Sequence, residues 1–352
     1  MSDQNELLRT AVPLLQGWYA SCRRELPWRE VKNAYHIWIS EIMLQQTRIA
    51  AVLEYYDRFL KALPDIPALA AVPEDELMKL WQGLGYYSRA RNLRKTAQIL
   101  TEQYGGQFPA DLDAIRALPG IGDYTAGAIA SIAFGLPAPA VDGNVLRVLT
   151  RLTADGRDIS RESTKADFRA RLAGVIPPDA PGEFNEALME LGETVCLPNG
   201  APLCDLCPLR ALCHARSEGR TEELPFKAQA KARRIEERKV FLLFYKSRVA
   251  LRKRAEKGLL ARLWEFPNAL RAEEDPLARE GIAVTAPPAF CGKGKHVFSH
   301  IEWHMEGFIA EAAGPELPEG WVWADRDELE HVYAVPNAFR FALEKAEEFM
   351  VS

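Results

Sequence analysis

Residues 118–152, LPGIGDYTAGAIASIAFGLPAPAVDGNVLRVLTRL, constrain the fold more than any other stretch. Gly120 and Gly122 bracket one aliphatic residue, which makes a tight hairpin whose backbone can come close to another molecule. Asp123 stands where a helix N-cap is expected, ahead of Ala126, Ile129, Ala130 and Ala133 at helical spacing. Pro137 and Pro139 break that helix, and Asp142 in VDGNV is expected to cap the next one, which begins at Val145. A glycine hairpin feeding a helix N-terminus offers N–H groups and a partial positive charge, which suits one phosphate. The turn alone fits an ordinary helix–turn–helix corner equally well, and most aspartates placed like Asp142 only cap.

Of the six cysteines, Cys22 and Cys291 stand alone. The other four lie in CLPNGAPLCDLCPLRALC, spaced C-x7-C-x2-C-x5-C. In a cytosolic chain such a cluster indicates a shared metal centre rather than disulfides, and the spacing leaves zinc and a [4Fe–4S] cluster both open. The chain reads as intracellular. Its start, MSDQNELLRT, lacks a signal peptide's apolar core, and no apolar run approaches the ~20 residues of a membrane span. The net charge of −5 does not advertise a nucleic-acid binder. Its distribution is more telling: residues 88–95 (SRARNLRK) and 210–239 are basic, and the chain after Glu306 is mainly acidic. That asymmetry is compatible with DNA binding without demanding it.

Taken in order, residues 6–22 read as an amphipathic helix with Leu7, Leu8, Leu14, Leu15 and Trp18. Pro27-Trp28-Arg29 breaks the chain, and residues 35–60 follow as one long apolar helical region. Glu41 sits there among Ile39, Ile42, Met43 and Leu44, and by pattern alone it belongs to an exposed stripe. The Gly83-Leu84-Gly85-Tyr86 corner presents an aromatic and a leucine, which suit wedging between bases or helix packing alike. No alternating strand pattern occurs up to about residue 220, so this half is expected to be all-α. Residues 217–237 are charged and read as a linker. Strands are expected at 240–245, 249–254, 297–301, 305–310 and 321–324, with a final helix at 339–350, giving an α+β domain.

The hairpin, helix and following aspartate together resemble the helix-hairpin-helix DNA glycosylase superfamily. The cysteine loop resembles the [4Fe–4S] loop of the endonuclease III and MutY glycosylases, with a first gap one residue longer than usual. Gly258-Leu259-Leu260 and Leu263-Trp264-Glu265-Phe266-Pro267 resemble the Nudix-like C-terminal domain of MutY. The metal motif of active Nudix hydrolases, REUxEExG, is missing from residues 271–281, so a hydrolase role for that domain is not expected. Over nearly its whole length the chain is similar to the MutY family of adenine DNA glycosylases.

The resemblance implies a multidomain protein, an all-α helix-hairpin-helix glycosylase core with an iron–sulfur loop plus an α+β Nudix-like domain. The helical region would cover 1–216, with a six-helix core at about 28–135 and a cluster subdomain of 1–27 plus 136–216. Residues 217–237 would be the linker and 238–352 the 8-oxoguanine-recognition domain. A [4Fe–4S] cluster would sit on Cys196, Cys204, Cys207 and Cys213.

The partner implied is double-stranded DNA with an 8-oxoguanine·A or G·A mispair, bound by a monomer in the cytoplasm, on the nucleoid. Glu41 matches the general acid and Asp142 the catalytic carboxylate, with Tyr124 and Asn144 supporting that carboxylate and the sugar. Such a pair suits N-glycosidic cleavage, which needs a proton on the leaving purine and negative charge beside an oxocarbenium-like sugar. Trp28, Arg29 and Glu186 would line the adenine pocket, and Gly120 and Gly122 would hold a phosphate. Gln46 and Tyr86 would fill the opened stack, Thr47 and Leu84 would lie near the oxidised base, and Phe298, Ser299 and His300 would read it. Bifunctional relatives carry a lysine where Tyr124 stands, so hydrolysis without a Schiff base is expected. The alternatives are a thymine or uracil mismatch glycosylase, an endonuclease III-like glycosylase/lyase, and a non-enzymatic metal-containing DNA-binding protein.

Overall fold

The computed structural model describes residues 2–229 and 232–350. Met1, Ala230, Lys231, Val351 and Ser352, which fall in the expected helical region, linker and C-terminal domain, lie outside the described residues. The chain divides into two compact units: residues up to Ala71 with Asn92–Gln229, and Val72–Arg91 with the residues after Gln229.

The first unit is helical. It contains α1 (Ser2–Cys22), α2 (Pro27–Glu30), α3 (Ala34–Leu44), α4 (Ile49–Ala62) and α5 (Ile66–Ala71). In the second unit is α6 (Glu74–Leu80), and α7 (Ser88–Tyr104) spans the boundary at Arg91 and Asn92. The first unit continues with α8 (Leu112–Arg116), α9 (Asp123–Phe134), α10 (Gly143–Thr153), α11 (Glu162–Ala173), α12 (Pro181–Thr194) and the short α13 (His214–Ser217). The apolar helical region expected over 35–60 consists of two helices, α3 and α4. Asn33 caps the first through Tyr35 N–H at 2.8 Å, and Gln46, at φ 61°, turns the chain before the second. A left-handed residue inside a helix cannot carry the hydrogen-bond ladder on, so the corner follows.

The hairpin joins α8 to α9. Gly120 has φ 75°, and a Cβ there would stand 2.6 Å from Asn92 Cβ, so both conformation and space require glycine. Thr96 on α7 donates to Pro119 O at 2.8 Å and fixes the turn from below. Asp123 does not cap α9 as expected. Gly122 is the N-cap, and the Asp123 carboxylate is drawn to Arg169 at 2.8 Å, with Arg116 at 3.5 Å. The second helix start follows the expectation: Asp142 Oδ1 accepts from Val145 N–H at 2.7 Å and caps α10. Helix α9 is buried from Thr125 through Ser131 and packs on α3, while α10 and α1 pack on α12. Gly192 on α12 lets α10 approach closely, because a Cβ there would lie 2.7 Å from Asn144 Cβ.

The second unit is built on a sheet of β1 (Arg234–Tyr245), β2 (Arg248–Lys253), β3 (Trp264–Glu265), β4 (Asn268–Leu270), β5 (Ala289–Val297), β6 (Ile301–Glu311) and β7 (Trp321–Ala324). The order is β3-β2-β1-β6-β5, with β4 on β1 and β7 on β2. Only β1 and β6 run parallel, registered from Arg234 opposite Ile301 to Phe244 opposite Glu311. Both faces of β1 are covered. Val240, Leu242 and Phe244 join one core with Trp303 and Phe339, while Phe241 and Leu243 join another with Leu277 and Ala310. That explains its unbroken apolar run. The short α14 (Pro276–Arg279) and α15 (Arg326–His331) precede the final helix, α16 (Arg340–Met350).

Three expectations change here. Strand β1 begins at Arg234, inside the segment read as linker, because β6 offers it a partner along its charged start. Residues 298–300 are a turn rather than part of a strand at 297–301, closed by Phe298 N–H donating to Ile301 O at 2.8 Å. Strand β5, AFCGKGKHV, has little strand propensity of its own, and antiparallel pairing with β6 supplies its order.

Candidate active site

A cavity of about 1420 Å³ opens in the helical unit, lined by α2, α3, the α3–α4 corner, the starts of α9 and α10, and α12. Trp28, Arg29, Glu41, Gln46, Thr47, Gly122, Tyr124, Asp142, Asn144 and Glu186 all line it. Gly120 lies in the adjoining turn.

Glu41 is not on an exposed stripe. It is 6% exposed, because α3 is covered on the side that the apolar pattern left open. Burial pushes its carboxyl up to about 7. The Tyr124 hydrogen bond works against that shift, and the nearby Asp142 and Glu186 charges add to it. Tyr124 donates its hydroxyl to Glu41 Oε2 and lies 3.2 Å from Met189 Sδ. The phenol therefore supports Glu41, not Asp142 as the sequence suggested.

Asp142 is held by two donors, Val145 N–H on Oδ1 and Asn144 Nδ2 on Oδ2 at 3.0 Å. Burial raises its carboxyl, while those bonds and the Arg147 charge favour the ionised form. Asn144 is itself oriented. Arg147 donates to Asn144 Oδ1 at 2.8 Å, to Gly192 O at 2.7 Å and to Cys196 O at 2.7 Å. A continuous line of hydrogen bonds thus runs from the first cysteine of the loop to the aspartate.

At the other end of the cavity Trp28 packs edge-on against Tyr56, 5.3 Å between centroids. Arg29 and Glu186 are 11% and 13% exposed and stand 3.7 Å apart. Arg29 also pairs with Glu190 at 2.7 Å, and Arg24 grips the same Glu190 carboxylate at 2.5 and 2.9 Å.

Within the second unit a smaller cavity of about 430 Å³ brings Leu84 and Tyr86 together with Phe298, Ser299 and His300. Tyr86 is half exposed, with φ 46°, and its hydroxyl lies 3.1 Å from Ser299 Oγ. Phe298 packs edge-on against His296 and Trp303, at 4.5 and 4.9 Å.

The four loop cysteines line one cavity of about 30 Å³, with Arg151, Arg210 and Arg216 at its wall. Burial pushes the Cys207 thiol up to about 11, and the three neighbouring cysteines add to the shift. Arg151 donates to Cys196 Sγ at 3.2 Å. Among the described residues, no three His, Cys, Asp or Glu side chains are grouped as the ligands of a single ion.

Arg147, Arg151, Glu190, Arg24 and Tyr19 went unread in the sequence. The first two carried a signal, since NVLRVLTRL puts two arginines four residues apart on an otherwise apolar helix, where a buried charge needs partners. The other three carried none, because their side-chain hydrogen-bond partners lie more than 160 residues away.

Residues 39–173 match the family model described as HhH-GPD superfamily base excision DNA repair protein, and residues 239–345 match the NUDIX domain. The chain is 34% identical to the adenine DNA glycosylase of Homo sapiens over 93% of its own length and 72% of that protein's. Among solved structures it is similar to a thermostable thymine-DNA glycosylase, with a TM-score of 0.55 and 28% identity, over 61% of this chain and 98% of the other. It is also similar to endonuclease III in a non-covalent complex with DNA, with a TM-score of 0.52 and 27% identity, over 61% and 97% of the two chains.

Proposed function

The chain belongs to the adenine DNA glycosylase family of base excision repair, and we propose that its substrate is adenine mispaired with 8-oxoguanine or guanine in duplex DNA. The observation that carries the reading is the pairing of two carboxyl groups in one cavity with different surroundings. Glu41 has a single phenol donor and is pushed up to about 7, so it carries a proton near neutrality. Burial raises the Asp142 carboxyl as well, but it has two N–H donors and the Arg147 charge, all of which favour its ionised form. Two carboxyl groups so separated divide the labour of an acid and an anion.

An adenine turned out of the duplex enters the cavity with its leaving nitrogen system toward Glu41. Tyr124 occupies Oε2 of Glu41, which leaves Oε1 to deliver the proton to N7 of the base. As the glycosidic bond lengthens, the sugar gains positive charge, and the Asp142 carboxylate stabilises it until water attacks. Tyr124 in place of an amine leaves that route to a Schiff base closed, so the product is an abasic site with an intact strand. Trp28, Arg29 and Glu186 hold the base, and Gly120 and Gly122 offer their N–H groups to a phosphate. Gln46 and Tyr86 fill the opened stack, Thr47 and Leu84 lie near the oxidised base, and Phe298, Ser299 and His300 read it.

The cysteine loop suits a [4Fe–4S] cluster held by Cys196, Cys204, Cys207 and Cys213. Four thiols gathered in one place, with Cys207 and Cys213 pushed up by burial and by their neighbours, are the donor set for a cationic centre, whose charge would ionise them. The cluster's role is to hold the loop that presents Arg210 and Arg216. Among the described residues no helix is long and apolar enough to cross a membrane. We place the enzyme in the cytoplasm, on the nucleoid, as a monomer.

The deciding experiment is strand cleavage after alkali on duplexes carrying A, T or U opposite 8-oxoguanine or G. Release confined to adenine, with no cleavage before alkali, is expected; release of thymine or uracil, or cleavage without alkali, would overturn the reading.

A further inference from the structure

Tyr19 on α1 is buried, 3% exposed, and its hydroxyl donates to Glu186 Oε2 at 3.2 Å. The Arg29 guanidinium lies 5.7 Å from its ring centroid and 3.7 Å from Glu186 Oε1 through Nε. Both oxygens of Glu186 therefore have a fixed neighbour. Arg29 is fixed in turn by Glu190, which Arg24 grips from the far side. Arg29 and Glu186 line the cavity, whereas Tyr19, Arg24 and Glu190 stand behind them.

We propose that Tyr19 is a positioning residue for base selection, its hydroxyl holding the Glu186 carboxylate in the orientation that accepts from the 6-amino group of adenine. The inference rests on the reading of this cavity as the base pocket. An ionised carboxylate only accepts hydrogen bonds, so it welcomes an amine at position 6 and repels a carbonyl there. Burial favours the neutral form of Glu186, whose O–H would donate and blur that choice. The Tyr19 hydrogen bond and the Arg29 charge both favour the ionised form. The hydroxyl thus sets the direction of the group that reads the base and adds to the Arg29 charge in favouring its ionised form.

The test compares single-turnover release of adenine and of purine, which lacks the 6-amino group, opposite 8-oxoguanine under saturating enzyme. Tyr19→Phe keeps the ring under Arg29 and removes only the hydroxyl. It should slow adenine release about tenfold and leave purine release within about twofold of wild type. Glu186→Ala should show the same selectivity, and adding Tyr19→Phe to it should cost nothing more, because the two act as one unit. The adenine-to-purine ratio is taken within one preparation, so a reduced active fraction cancels. Equal slowing of both bases by Tyr19→Phe, no slowing of either, or independent effects in the double variant would overturn the proposal. Equal slowing of both bases by Glu186→Ala would instead remove the base-pocket reading, and the proposal with it.

Discussion

Replacing Glu41 with glutamine should stabilise the protein above neutral pH while removing its activity. In the folded chain the Glu41 carboxyl is displaced from its ordinary 4.5 to about 7, chiefly by burial. Between those values the native state holds a proton that the unfolded chain has released, so wild-type stability falls as pH rises through the window. At about 1.36 kcal/mol per pH unit, the buried carboxylate costs the native state on the order of 3 kcal/mol above pH 7. Glutamine has no proton to lose. Its oxygen can still accept from Tyr124, and its amide N–H groups, left without partners, cost about 1 kcal/mol at every pH. Glu41→Gln should therefore be slightly less stable than wild type near pH 4.5 and more stable by ~2 kcal/mol at pH 8. At ~2–4 °C per kcal/mol for a large chain, the difference in Tm between variant and wild type should grow by about 6 °C between pH 5 and pH 8. Paired thermal melts across that range measure it, and the wild-type baseline removes effects common to both proteins. A difference in Tm that stays constant with pH would show that Glu41 does not titrate in the window, and the acid role argued from its burial would go with it.

Asp142→Asn should fold and melt like wild type, since asparagine caps α10 as well as aspartate, yet lose adenine release; wild-type excision by the purified variant would reduce Asp142 to a cap. Arg147→Met should slow single-turnover release about tenfold or more by freeing Asn144, and lower stability by roughly 2–4 kcal/mol because Gly192 O and Cys196 O lose their donor. An Arg147→Met enzyme with wild-type rate would show that Asn144 needs no support. Arg210→Ala with Arg216→Ala should weaken DNA binding and flatten the log–log salt dependence by ~0.9 for each phosphate no longer neutralised, an unchanged slope refuting any role at the DNA backbone. Ser299→Ala with His300→Ala should lower affinity for an 8-oxoguanine·A duplex more than for G·A, and equal losses would make the second unit a general clamp.

What the sequence made legible was local chemistry. The glycine hairpin and the Asp142 cap depend on residues within a few positions of each other, so spacing alone placed them. Glu41 was harder: its neighbours on α3 are apolar whichever way the helix faces, and only the packing of α9 decides that the carboxylate is inward. The same limit hid the chain from Asp142 through Asn144 and Arg147 to Cys196, although the arginine spacing on α10 hinted at it. Strand β5, with two glycines and two lysines, has no strand signature, and its order comes from β6. Tyr19 and Glu186 meet across most of the helical unit, a pairing that no window of sequence contains.

The Tyr86–Ser299 hydrogen bond bears on how a lesion would be found. If Ser299 reads the opposite base as proposed, its hydroxyl would exchange the tyrosine for the base, and recognition would be a change of partner rather than a new bond. With 8-oxoguanine the released serine would meet the N7–H and the C8 oxygen, and the exchange would come out nearly even. With guanine the serine would find only the N7 lone pair to donate to, one bond where 8-oxoguanine offers two, so the tyrosine would be the better partner. Discrimination would then arise mainly from how quickly the protein abandons an undamaged base. A search over a genome full of guanine would profit from such haste, and labelled protein should show it as a shorter dwell on guanine-containing duplex that lengthens when Tyr86 is changed to phenylalanine.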